Sequence, residues 1–240
     1  MSASDLRYQA RQTLAGRWVI VILVTLLASI LGGAVASNNV SFNIDIDSEM
    51  LWKLPEEIRA VVGTVMGVMA TVSGFLGTAQ FVLGGVVKLG YCQFLLKMQD
   101  GEEPEANDLF SRFNQFGDGF LLNLLTGLYT FLWMLLFIIP GIVAAYSYAM
   151  APFIMSENPG MKASEAITAS KSLMNGHKAE LFVLDLSFLG WCILNVFTLG
   201  IGSLWLSPYM NAAHAAFYRS LQPKMSYQPE NGDYTNPIAE

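Results

Sequence analysis

The residues best placed to do proton chemistry within an apolar stretch of this chain are Asp185 and His214. If the uncharged run 186–218 folds back at Ile201, Asp185 lies 16 residues before the turn and His214 lies 13 after it. That leaves an axial mismatch of about 4.5 Å at helical rise, so the two can meet as a hydrogen-bonded pair near the cytoplasmic boundary. Ionisable groups inside membranes mark relays and ligand sites, which is one reading of the pair. The other is interfacial: Asp185 lies two turns past Lys178, within reach of water, and His214 serves a neighbour as a neutral donor.

No other residues assemble a reaction. His177 and His214 are the only histidines, in separate segments, and the chain has no H-E-x-x-H, G-x-S-x-G or P-loop pattern. Asp45, Asp47 and Glu49 alternate like the start of a calcium loop, but Met50 stands where glycine is needed and no Glu occupies the twelfth position. A solvated acidic loop is the expectation there. Cys92 and Cys192 lie in or beside apolar segments, which points away from a disulfide framework or a thiolate metal site. The formal charge of −6 offers no basic field for nucleic acid. The residues therefore lead to an expectation of no catalytic, cofactor or metal site and no enzymatic activity.

The elements that carry these residues follow from composition. The chain is 53% hydrophobic and only 13% charged, with uncharged runs at 18–44, 60–87, 119–156 and 186–218. Each exceeds the roughly 20 residues that span hydrocarbon as a helix. The last two, at 38 and 33 residues, are too long for one crossing each, and each holds a breaker near its middle: Pro140-Gly141 and Gly200-Ile201-Gly202. Taking these as hairpin tips gives an all-α, polytopic transmembrane bundle of about six crossings, near 18–36, 60–87, 119–139, 142–156, 181–199 and 203–218. The single domain ends at 221, and residues 222–240, with three prolines among polar residues, form a disordered tail.

Charge supports the same arrangement. Eleven of the 13 basic residues fall on one side of it, and only Lys53 and Arg59 fall on the other. The positive-inside rule then puts both termini in the cytoplasm of a cell membrane. The hairpin tips are apolar, so four crossings with kinked or re-entrant helices is the competing arrangement. A secretory signal ending at Ala34-Val35-Ala36 competes for the first segment, but the amphipathic stretch before it favours a retained anchor.

Linkers carry their own pattern. Residues 4–15 set Leu6, Ala10 and Leu14 apart from Arg7 and Arg11, as in a helix lying on the membrane surface. Asp108 can cap a short helix that sends Phe110, Phe113 and Phe116 into the interface. Residues 161–175 show a third such face, with Ala166, Ile167 and Ser170 against Lys162, Glu165 and Lys171. All three suggest interfacial anchoring.

A stripe of small residues, Gly63, Gly67, Ala70, Gly74, Gly77 and Gly84, runs along the second crossing at a 3.5-residue period. Small residues at that spacing admit a close helix neighbour, either from this chain or from a second copy or another membrane protein.

Several motifs resemble one bacterial family. They are the stretch from Ser170 to Trp191, Leu199-Gly200-Ile201-Gly202, Pro208-Tyr209, Ala215-Ala216-Phe217-Tyr218, the N-terminal Arg7, Ala10, Leu14, Gly16 and Trp18, and Leu136 to Gly141. Together they are similar to the integral membrane proteins grouped as domain of unknown function 975. The resemblance implies a multi-helix bacterial membrane protein without assigned substrate or catalytic residues. The functional expectation is a structural or interaction role in the bilayer, with a small-molecule or ion transporter or channel as the alternative.

Overall fold

The computed structural model describes residues 2–32, 55–198 and 200–222. The acidic loop with Asp45, Asp47 and Glu49, the end of the first expected crossing at 33–36, and the tail from 223 lie outside the described residues. Every described element is helical: α1 Ala3–Leu14, α2 Trp18–Gly32, α3 Glu56–Gln99, two 3-10 turns at Ala106–Phe110 and Phe113–Gln115, α4 Phe116–Leu136, α5 Ile138–Tyr148, α6 Ala151–Glu157, α7 Ala163–Leu173, α8 Lys178–Leu186, α9 Leu189–Phe197 and α10 Ser203–Leu221.

Three stretches are long and apolar enough to cross a membrane: Gly77–Gln99, Ala106–Leu136 and Ile138–Glu157. Counting α1 and α2 as one broken span gives up to four. Of the six expected crossings, that at 60–87 is shifted to Gly77–Gln99, that at 181–199 is divided between α8 and α9 of 9 residues each, and that at 203–218 lies in the 19-residue α10, which is not among the candidate spans. The apolar stretch of α3 also runs past Lys88 to Gln99, so Lys88 lies inside a candidate span instead of flanking it.

The N-terminal helix starts on a reciprocal cap. The Ser2 hydroxyl accepts from the Ser4 amide, and the Asp5 carboxylate accepts from the Ser2 amide at 3.0 Å. Gly16, at φ +79°, lets the chain leave α1 in the left-handed region, and α2 sets off at 101°. Leu6, Ala10 and Leu14 are buried in the protein core, packed with Ala212, Ala213 and Ala216 of α10. This corrects the interfacial expectation for residues 4–15: the apolar face is there, but α10 and the core around it cover it in place of lipid. The same correction holds for α7, whose Ala163, Ala166 and Ile167 pack with Leu89, Leu122 and Ala144. Phe110, Phe113 and Phe116 do remain exposed.

The first hairpin reverses at Phe137, whose extended backbone (φ −156°, ψ 144°) separates α4 from α5. Pro140 and Gly141, expected at the tip, lie instead in the first turn of α5. Proline fits there because the first amides of a helix have no intrahelical partner to lose. Gly141 serves the crossing of the two arms, since a Cβ there would stand 2.7 Å from Met134 Cα. In the last hairpin the turn between α9 and α10 contains Gly200 at φ +84°. A Cβ on Gly202 would come within 2.9 Å of Asn195 Oδ1.

At 44 residues, α3 is about 66 Å long, roughly twice the hydrocarbon thickness. Its C-terminal half is the centre of the core, with Val86, Val87, Leu89, Phe94 and Leu95 all buried. Backbone comes very close there. A Cβ on Gly85 would overlap the Gly119 carbonyl, one on Gly90 the Leu109 carbonyl, and one on Gly84 would lie 2.9 Å from the Gly32 carbonyl oxygen. At Gly63, Gly67, Gly74 and Gly77, by contrast, an added Cβ meets nothing within 4 Å. The side chain of Ala70 lies outside the description. Of the small-residue stripe, then, Gly84 alone meets a helix of this chain among the described residues, because α2 and α4 join α3 only from about Gln80 onward. Gln80 itself marks that level, donating to the Ile30 carbonyl at 3.0 Å.

Candidate functional site

Three helices bring polar side chains together around Asp185. His214 Nε2 of α10 lies 2.6 Å from Asp185 Oδ1, and the Tyr146 hydroxyl of α5 donates to Oδ2 at 3.0 Å. Both Asp185 and His214 keep 28% of their side-chain surface exposed, so the cluster is half-buried. Phe182 closes one side, edge-on to the Tyr146 ring at 5.9 Å. Just beyond, Arg7 donates to the Ser187 carbonyl at 3.3 Å and ties α1 to the end of α8. The carboxylate thus holds an imidazole and a phenol in one hydrogen-bonded chain, a geometry that can store or pass a proton. Tyr146 had no sequence signal. Nothing in its spacing relates it to residues 185 or 214, which lie on two other helices. Among the described residues, no three His, Cys, Asp or Glu side chains gather as metal ligands would.

A second polar feature is a cleft of about 440 Å³ between α3, α4 and the α5–α6 stretch. Lys88 enters it from α3; Asn123, Thr126 and Thr130 line it from α4, and Tyr148 from α5. Those α4 residues recur at helical spacing and so share one face. Thr126 Oγ1 is buried without a hydrogen-bond partner. Lys88 forms no hydrogen bond or ion pair among the described residues.

Elsewhere the charged groups pair at one end of the bundle. Lys97 meets Asp108 at 2.6 Å, and Asp108 also accepts from the Glu105 amide at 2.9 Å. Arg112 donates to Gln93 at 2.7 Å and to the Ser156 carbonyl. Arg219 bridges Glu157 and Asp100, and Tyr218 donates to Glu157 at 2.6 Å. Asp108, expected as the helix cap, lies instead inside the first 3-10 turn, whose N-cap is Glu105; its carboxylate accepts from that residue's amide and pairs with Lys97.

The seam glycines, the turn residues and the Asp185 cluster occupy three separate places. Lys88 and its cleft were missed because the sequence reading set Lys88 on the flank of its crossing; its signal was being the only charged residue between Arg59 and Lys97.

No curated protein and no solved structure matches this chain. A family model does match, over residues 1–147 and 134–225, which together cover nearly all of the described fold. The chain belongs to the family described as protein of unknown function (DUF975).

Proposed function

We propose that this chain is a multi-pass integral membrane protein with a non-enzymatic structural or interaction role, crossing the membrane six times with both termini in the cytoplasm. The observation that carries this reading is how the surface divides. Paired or hydrogen-bonded charges collect around Lys97, Arg112 and Arg219, whereas Leu135, Phe137, Ile138 and Ile139 at the first hairpin tip and Phe197 and Ile201 at the second stand exposed. Phe197 is 80% exposed. So many large apolar side chains facing outward have no place in water, and lipid is the solvent that accommodates them. The arms of the first hairpin, Ala106–Leu136 and Ile138–Glu157, have the reach, since 20 residues of helix measure about 30 Å.

Bilayer lipid is then the first partner. The open glycine face at Gly63, Gly67, Gly74 and Gly77 leaves room for a helix of a second copy or of another membrane protein. Nucleic acid is not a partner in this reading. Reporters active on only one side of the membrane test the arrangement when fused after Gly160 and after Leu221. Six crossings put both fusions on the same side, and fusions on opposite sides would mean an odd number of crossings between 160 and 221, which overturns that arrangement.

A second reading, a small-molecule or ion transporter, is favoured by one observation: Lys88 within a candidate span, on the wall of a cleft that Asn123, Thr126 and Thr130 also line. A reconstituted flux that survives both Asp185→Asn and His214→Ala would remove the Asp185 cluster from any such role.

A further inference from the structure

We propose that the cleft between α3, α4 and the α5–α6 stretch binds the phosphate of an anionic lipid, with Lys88 as its counter-charge and the lipid's hydrocarbon lying along the wall toward Met134. The inference rests on the membrane reading above. Among the described residues, Lys88 is the only charged side chain lining the cleft and has no ion-pair partner. Lys97, Arg112 and Arg219 are all paired or hydrogen-bonded. Lys88 is half-buried and has no counter-ion in the cleft among the described residues, so the cleft favours an anion.

The neighbouring side chains also point to an acceptor-rich guest. The hydroxyls of Thr25, Ser29, Thr64, Thr78 and Ser147 each donate to the carbonyl four residues back, at 2.7 to 2.8 Å. Those of Thr126 and Thr130 do not, and Thr126 Oγ1 is buried with no partner among the described residues. Asn123 likewise keeps its amide free of hydrogen bonds among the described residues. Lys88, Asn123, Thr126 and Thr130 can together present more donors than one carboxylate can take, whereas a phosphate offers several acceptor oxygens to charge-assisted hydrogen bonds.

The shape of the cleft indicates where the phosphate comes from. Its volume lies within the range of small-ligand sites, large enough for a headgroup and the first part of a chain. From Asn123 to Met134 the wall rises 11 residues of α4, about 16 Å, along which polar side chains give way to Phe131 and Met134. Those two are 62% and 47% exposed and belong to the apolar surface that faces lipid. A guest with an anionic head and a hydrocarbon tail matches both ends.

The test uses the full chain purified in detergent. The midpoint of thermal unfolding is followed against added phosphatidylglycerol, phosphatidylcholine of the same acyl chains, and inorganic phosphate, for the wild type and for Lys88→Met, Lys88→Arg and Thr126→Val. Phosphatidylglycerol should stabilise the wild type at concentrations where phosphatidylcholine does not. Lys88→Met should weaken that response about tenfold or more and Thr126→Val about threefold, while Lys88→Arg keeps most of it. If Lys88→Met does not fold, Thr126→Val and Asn123→Leu decide the question in its place.

Stabilisation by millimolar inorganic phosphate that depends on Lys88, with no preference between the lipids, would keep the phosphate site and overturn the lipid as its occupant. Equal responses to phosphatidylglycerol in the wild type and the neutral variants would overturn the proposal. Alkaline extraction of membranes bearing the same protein separates the two readings. A chain released by alkali ends the membrane reading, and a retained chain with unchanged lipid response ends only this inference.

Discussion

The two halves of α3 use one residue type in opposite ways. From Gly84 to Gly90 the missing side chain lets backbone from α2, α4 and the Leu109 turn come into direct contact with the helix. From Gly63 to Gly77 the glycines face open space among the described residues. A regular stripe of small residues therefore marks a surface that can be approached closely, and says nothing of whether this chain supplies the approach. The half that is filled is also where the core lies, so folding energy and glycine packing coincide in the C-terminal half.

Substitutions break or sharpen that contrast in a definite order. The largest effect should come from Gly85→Leu or Gly90→Leu, where even a Cβ overlaps backbone carbonyls that belong to other elements. Overpacking commonly costs about 1–3 kcal/mol and more where backbone must move. No monodisperse folded protein should be recovered on size exclusion. Gly84→Ala comes next. Its Cβ would lie 2.9 Å from the Gly32 carbonyl oxygen, and a small shift of α2 should cost about 1 kcal/mol, seen as a melting point a few degrees lower by circular dichroism. Asp185→Ala, away from the seam, removes the shared partner of His214 and Tyr146 and should destabilise by about 1 kcal/mol in the same melt, since both donors keep some access to solvent. Gly67→Leu and Gly74→Leu should be the mildest, leaving the melt of the isolated chain within about 0.5 kcal/mol and altering only association with another helix. If Gly67→Leu proves as damaging as Gly85→Leu, the contrast between the halves is wrong.

The sequence carried the helical class, the long apolar runs and the amphipathic faces, because each rests on composition or a 3.6-residue period. It could not carry what covers a face. Leu6, Ala10 and Leu14 make the same pattern against lipid as against the alanines of α10, and the same is true of Ala166 and Ile167 on α7. The first turn was misplaced by three residues because Pro140 looks like a breaker, yet proline is readily housed in the opening turn of a helix, and an extended Phe137 makes the reversal. Counting depth from Ile201 put Asp185 and His214 within a turn of each other, and their side chains stand 2.6 Å apart. Tyr146 and the Lys88 cleft were out of reach of such counting, because they depend on how separate hairpins and α3 pack together, and register along one hairpin does not contain that information.

Every membrane arrangement of this chain requires α3 to pass through the bilayer, and positions at its two ends test this directly. In a cysteine-free background, with Cys92 and Cys192 replaced, single cysteines at Glu56 and Glu103 are exposed to a membrane-impermeant maleimide in intact cells and again after permeabilisation. The account predicts that Glu56→Cys is labelled in intact cells and Glu103→Cys only after permeabilisation. Labelling of both positions in intact cells, or of neither until permeabilisation, would contradict it.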